Sequence, residues 1–167
     1  MTATHHRGVD LLTGAYGRPT FERELARIVS SSRQDGTPLA LLYVDVDDFQ
    51  EHWDTKGQAA ADGLLAELAG LIAQSTGGLG PLGRLDTDAF AALLPEVDLG
   101  RACQLAEGVR HRVGMHAFHD DGGFIHVTVS VGVAGLRQNE PWGNLLDAAE
   151  AACVRAKQGG RDRIARR

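Results

Sequence analysis

Two aspartates, Asp45 and Asp47, close the apolar run "LALLYVDV" and its exit, Leu39 to Asp47. Alternate residues of a strand share a face, so the two carboxylates point the same way. Carboxylates at the end of a buried strand are costly unless water, a partner group or a cation compensates them. A third acid, Asp88, sits at the tip of "GRLDTDAF", Gly83 to Phe90, between segments that pair as a hairpin. With that hairpin on a neighbouring strand, Asp45, Asp47 and Asp88 converge. Mg²⁺ takes one or two carboxylates and completes its shell with waters and phosphate oxygens. The competing reading is turn chemistry alone. Asp47 and Asp48 would then only end a strand, and Asp86-Thr87-Asp88 would only turn a hairpin. Position alone leaves both readings open.

Lys157 precedes the Gly159-Gly160 pair and Arg161 follows it. Read alone, they complement a helix C-terminus and continue a solvated basic end with Arg163, Arg166 and Arg167. Beside an acid cluster for Mg²⁺, they become phosphate anchors. His52 and Trp53 follow the acidic strand end; Trp53 suits a core anchor, a lid over a pocket there or a stacking platform, of which packing is the favoured reading. His111, His116 and His119 show no regular ligand spacing and read as surface residues. Cys103 and Cys153 lie among small and apolar helical neighbours and read as buried free thiols. No cysteine or histidine spacing suggests zinc.

The elements that must position these groups follow from periodicity. Pro19 to Ser30 reads as a helix, with Phe21, Leu25, Ile28 and Val29 at helical spacing and Pro19 in the first turn. Ser31 to Thr37 reads as a loop. Leu39 to Val46 reads as a central strand covered on both faces. Ala59 to Gln74 carries the stripe Leu64, Leu65, Leu68, Leu71 and Ile72. Leu82–Leu85 and Ala89–Leu94 form the hairpin arms. Asp98 suits the N-cap of a helix over Leu99–Val113. Phe124 to Val133 alternates as a strand with one face inward. Asn144 suits the cap of a last helix that runs to Lys157 and stops at the Gly pair. Strand, helix, strand, strand, helix, strand is the α/β (α+β) ferredoxin-like split βαβ pattern, here βαββαβ, with extra N- and C-terminal helices.

The chain has 167 residues, enough for one domain with a full core. Its net charge of −5 argues against broad nucleic-acid binding, which needs a basic face. No apolar run is long enough to span a membrane, and "MTATHHRGVD" lacks a signal pattern, so the expected location is cytoplasmic. The expected organisation is a tail over 1–9, one domain over 10–164 and a basic tail over 165–167.

The blocks of the chain resemble the GGDEF domains, diguanylate cyclase domains that join two GTP molecules into cyclic di-GMP. "DLLTGAYGRPTF" is similar to the family's opening DxLTGLxNRxxF. "VDVDDFQEHWDTKGQAAADGLL" resembles DxDxFKxxNDxxGHxxGDxLL. "RLDTDAFAALLP" stands at the position of RxGGDEFxxLLP, "VTVSVGVA" is close to VTxSxGxA, and "AAEAACVRAKQGGRDRI" is similar to ADxALYxAKxxGRNRV. The fold implied is the same split βαβ, palm-like as in nucleotide cyclases.

The resemblance implies a metal group of Asp45, Val46 and Asp88, and a nucleotide group of Asp62, Lys157, Arg161, Asp48 and Phe49. Asp62 matches the residue that reads the guanine edge. Mg²⁺ is then expected only with bound nucleotide, and GTP is the expected nucleotide. The departures cluster in the signature loop, Asp86-Thr87-Asp88-Ala89-Phe90. Asp86 and Thr87 replace two glycines, which restricts φ and brings negative charge toward a polyphosphate. Ala89 replaces the glutamate, so no catalytic residue is assigned. Trp53 replaces the guanine-holding asparagine and cannot make its hydrogen bonds. Gln50, Gln58 and Asp162 are further departures. The family's product-inhibition RxxD aligns with Gly77 and Gly80, so cyclic di-GMP is not expected by that route. No sensor domain is evident within the chain, so a partner would have to bring two such domains together. The expected function is a catalytically inactive regulatory or protein-interaction module in cyclic di-GMP signalling that retains Mg-GTP binding. A weak diguanylate cyclase and a nucleotide-free protein-binding scaffold are the alternatives.

Overall fold

The computed structural model describes residues 8–167. The chain runs β1 (Tyr16–Gly17), α1 (Arg18–Asp35), β2 (Leu39–Val46), α2 (Phe49–Lys56), α3 (Gln58–Ser75), β3 (Leu82–Arg84), β4 (Ala89–Pro95), α4 (Leu99–Met115), β5 (Phe118–Asp120), β6 (Gly123–Ile125), β7 (Val129–Gly135), α5 (Gly143–Gln158) and β8 (Ile164–Arg166). Among the described residues, six strands form one sheet in the order β1-β3-β4-β2-β7-β8, and β5 and β6 form a separate pair. The expected βαββαβ core is β2-α3-β3-β4-α4-β7, with β2 between β4 and β7 in antiparallel pairing.

The uninterrupted apolar run of β2 feeds two cores. Ala40, Leu42, Val44 and Val46 pack in a cluster with Leu64, Leu68 and Ile72 of α3 and Val109 and Val113 of α4. Leu39, Leu41 and Tyr43 pack in a second cluster with Phe21, Leu25 and Val29 of α1 and Leu145, Ala149 and Cys153 of α5. The sheet is therefore the middle of three layers, and the two additional helices share one face of it. Asp45, by alternation, belongs to the α1/α5 face.

Several boundaries differ from the sequence reading. α1 extends through Asp35, past the expected loop at Ser31, because Gly36 first supplies the left-handed turn (φ 68°) that ends it. Asp98 caps α4 by accepting from the Arg101 amide at 2.8 Å, as expected. Asn144 caps nothing, since α5 starts at Gly143 with Trp142 as its cap residue and no side-chain capping bond. The single strand expected over 124–133 is two elements: Phe124 belongs to the β5–β6 hairpin, and β7 starts at Val129. β7 is also buried on both faces, with Ser130, Gly132 and Ala134 covered as well as the valines. Residues 165–167 do not form a tail. Ile164–Arg166 pair with β7 in parallel, and the Arg167 amide donates to Val133 at 2.9 Å. Of the expected N-terminal tail, 1–7 lie outside the described residues, while Val9 bridges to Tyr16. Among the described residues no helix is long and apolar enough to cross a membrane.

Candidate functional site

The carboxyl end of β2 collects most of the expected groups. Asp45 is opposite Ala89 of β4 on one side and Ser130 of β7 on the other. Lys157 reaches it from the last turn of α5. That helix lies close to the sheet because Gly132 has no side chain. A Cβ there would overlap the Ala149 carbonyl oxygen and the Cys153 amide. Lys157 Nζ stands 2.8 Å from Asp45 Oδ1 and 3.7 Å from Asp47 Oδ1, and donates to the Val46 carbonyl at 3.1 Å. The Asp45 contact has ion-pair distance without hydrogen-bond direction, so Oδ1 is buried with no directed donor.

The electrostatics follow from this crowding. Burial pushes the Asp45 carboxyl up to about 6, Lys157 pulls it back, and the Asp88 and Asp47 charges push the same way as burial. Burial also raises Asp88. For Lys157, burial opposes the charge, but Asp45 and Asp47 outweigh it and hold the ammonium above its ordinary value. The site thus favours a cation among its acids.

Asp47 does not join the metal group, contrary to the expected three-acid convergence. It is 3% exposed, and both its oxygens are spoken for. Oδ1 accepts from the Ser130 hydroxyl at 2.7 Å, and Oδ2 accepts from Thr128 Oγ1 at 2.6 Å and the Asp162 amide at 3.0 Å. Asp47 therefore ties β2 to β7 and to the turn after α5, which carries Arg161. Thr128 and Ser130 were not singled out by sequence reasoning. Their signal was available: two hydroxyl residues alternate with valines in "VTVSV".

The signature loop closes as a hairpin, with the Leu85 amide donating to the Ala89 carbonyl at 2.9 Å. The Asp88 carbonyl accepts from the Val46 amide at 3.1 Å, which fixes half-buried Asp88 beside the end of β2. Asp86 Oδ1 accepts from the Thr87 amide at 2.7 Å, so a loop donor is satisfied by the loop's own side chain. Ala89 and Phe90 are buried and Asp86 and Thr87 are exposed. Arg84 supports the tip by donating to the Thr87 carbonyl at 3.0 Å, and its other terminal nitrogen pairs with buried Asp10 at 3.1 Å. Asp10 also accepts from the Thr13 hydroxyl at 2.5 Å. Neither Asp10 nor Arg84 figured among the expected site residues, and their link across 74 residues has no local signature.

The remaining residues form a rim or belong to the core. Arg161 Nε lies 3.3 Å from Asp48 Oδ1, both side chains being about half exposed. Asp48 (φ 55°) and Arg161 (φ 63°) both hold left-handed backbone, which turns the chain sharply at each. Phe49 is buried in the α3/α4 core, so its side chain does not join the rim. Trp53 packs against that core and meets Phe49 edge-on at 5.8 Å between ring centroids, in keeping with the expected packing role. Asp62 is half-buried on α3, and none of the described polar contacts joins it to the acid–lysine cluster. At Gly80 an added Cβ would overlap the Leu93 carbonyl oxygen, so an aspartate there needs the backbone to move. His116 and His119 converge on Glu67, at 2.7 and 3.0 Å. No group of three or more metal-ligating side chains is arranged to hold an ion among the described residues. Both cysteines are free, and burial pushes the Cys153 thiol up to about 12.

A ferredoxin-like sheet with acids and a lysine gathered at the end of its central strand defines a palm-like domain of the nucleotide-cyclase type. The chain belongs to the GGDEF family: the family profile "Diguanylate cyclase, GGDEF domain" matches residues 7–163. It is 31% identical over 155 residues to diguanylate cyclase DgcP of Pseudomonas aeruginosa, covering 93% of this chain and 23% of that protein. The GGDEF domain of FimX from the same organism superposes with a TM-score of 0.91 at 25% identity, covering 97% of this chain and 100% of that one. Diguanylate cyclase SiaD, solved with its activator SiaC and also from Pseudomonas aeruginosa, gives a TM-score of 0.89 at 30% identity, covering 96% of this chain and 62% of that one. The chain spans less than half the length of the curated relatives it matches first.

Proposed function

We propose that this chain is a GGDEF domain that binds Mg-GTP without converting it, and acts as a regulatory or protein-interaction module in cyclic di-GMP signalling. One observation carries the reading. The residue directly opposite Asp45 is Ala89, a buried methyl where the family pattern has a glutamate. The metal and phosphate groups of the family pattern are kept, while this acid and the guanine-holding asparagine are lost.

The donor set suits the ion. Asp45 Oδ1 is a buried oxygen without a directed donor, next to the Val46 carbonyl and the half-buried Asp88. Asp45, Val46 and Asp88 would hold Mg²⁺, which when bound would offset the charge of the triphosphate. Lys157, beside these same oxygens, and Arg161 on the rim supply positive charge for the phosphates. Asp62 would meet the base from α3, and the backbone of Asp48 and Phe49 would border the phosphates. Asp86 opposes turnover in two ways. It places a carboxylate at the loop, and it occupies the Thr87 amide that a ligand would otherwise use.

A protein partner is part of this proposal, as SiaC is for SiaD. The crowding at Gly80 supports the expectation that cyclic di-GMP does not bind through the family's inhibitory position. Incubation with GTP and Mg²⁺, with nucleotides resolved by chromatography, tests catalysis. The expected result is unchanged GTP. Cyclic di-GMP that disappears in Asp88→Ala would establish the weak cyclase instead. Calorimetric titration with Mg-GTP tests binding. The expected result is saturable heat that is lost in Asp45→Asn. No heat at millimolar nucleotide would leave the protein-binding scaffold.

A further inference from the structure

Lys157 occupies the position of a bound cation. Its ammonium lies 2.8 Å from Asp45 Oδ1 and 3.1 Å from the Val46 carbonyl oxygen. These are two of the three groups proposed above for the metal. A divalent ion on the same oxygens would lie within a few ångströms of the ammonium, where like charges repel strongly in a partly buried site. The two cations therefore exclude each other.

We propose that Lys157 is a tethered counter-ion, which keeps the nucleotide-free site closed to divalent cations until a triphosphate draws the ammonium away. The inference rests on reading this end of the sheet as the Mg-nucleotide site. Three features make the exchange feasible. Lysine carries its charge on a flexible four-carbon stem, so the head can swing without moving α5. The Lys157 side chain is 26% exposed, so an incoming phosphate can reach it. The contact with Asp45 is a single-point ion pair at 2.8 Å, so no two-pronged geometry has to be broken for the head to leave. The exchange also balances charge. The acids lose one internal cation and gain a divalent one, while the ammonium moves onto phosphate oxygens. Metal and nucleotide then bind as a coupled pair, each raising the affinity for the other.

The test uses Mn²⁺ as the probe and the nucleotide-free chain, with bound ion counted by electron paramagnetic resonance. Wild type is expected to show no Asp45-dependent Mn²⁺ binding at submillimolar ion. Lys157→Met should bind Mn²⁺ at least about tenfold more tightly, because the competing charge is gone. The gain should vanish in the Lys157→Met, Asp45→Asn double variant. Lys157→Arg, which keeps a cation at the site, should behave as wild type. Thermal melts establish that each variant is folded, and Lys157→Gln serves as a second charge-free variant. Equal Mn²⁺ affinity in wild type and both charge-free variants would overturn the proposal. So would a gain that survives Asp45→Asn. None of these readouts contains nucleotide, so failure of the counter-ion role is separable from failure of GTP binding in the calorimetry above.

Discussion

Asp45 and Ala89 face each other across β2 and β4, so a carboxylate and a methyl share one small area of the α1/α5 face. The methyl is 1% exposed. A larger or charged group there would stand directly beside the Asp45 carboxylate.

Ala89→Glu adds a second carboxylate beside Asp45, whose own ionisation burial already disfavours. The variant should unfold more easily by about 2–4 kcal/mol at neutral pH, as buried unpaired charges do. Urea denaturation at pH 5 and pH 8 checks this, and the loss should be larger at pH 8. Cyclase activity should remain absent in this single variant, because Asp86 and Thr87 still form the loop.

Asp45 gives stability a definite pH dependence. Its folded value lies above the ordinary carboxylate value, so the folded state holds the proton more tightly than the unfolded state does. Its contribution is most favourable below about pH 4 and is lost as pH rises through about 6, a swing of about 3 kcal/mol at most. Asp88 acts in the same direction. Denaturation of wild type and Asp45→Asn from pH 4 to pH 7 checks the sign. The difference between them should move in favour of the variant as pH rises.

Asp47 should behave as a structural hub and not as a ligand. Asp47→Ala leaves the Thr128 and Ser130 hydroxyls and the Asp162 amide without their acceptor. The expected loss is about 2–4 kcal/mol, with Asp47→Asn intermediate because one acceptor oxygen remains. Hydrogen exchange at the Asp162 amide should accelerate in both.

Gly132→Ala should act at a distance on the phosphate side of the site. The added methyl meets the backbone of α5 at Ala149 and Cys153, so the helix must shift. The expected cost is about 3 kcal/mol or more, at the upper end for overpacking. In calorimetry the variant should bind Mg-GTP more weakly than wild type, since Lys157 leaves its position with the helix.

Parts of this architecture were legible in the sequence and others were not. β2 was legible because both of its faces are buried, which makes the run apolar throughout. The cap at Asp98 was legible because capping is local. α2 was not, since Phe49 is its only buried residue and no apolar stripe marks it. Phe124 and Ile125 of β6 were absorbed into β7 because Ile125 and Val127 continue the same alternation, while β5 lay outside the expected strand. At the site, the order of strands set Asp88 beside the end of β2, whereas Lys157 on α5 was placed there through the resemblance to the family's phosphate lysine. The separate fates of Asp45 and Asp47 were not legible. Asp47 is set apart by partners 81 and 83 residues away, which no spacing rule near "VDVDD" contains.

Arg84 carries a mechanical consequence. Its guanidinium is a flat, rigid plate, anchored at one edge to Asp10 and at the other to the Thr87 carbonyl. The distance between those two anchors is fixed by the plate and not by the intervening chain. The turn at Asp10 and the tip of the signature hairpin therefore form the two ends of one lever. A shift of Asp10 therefore has a route to Thr87 through a single side chain.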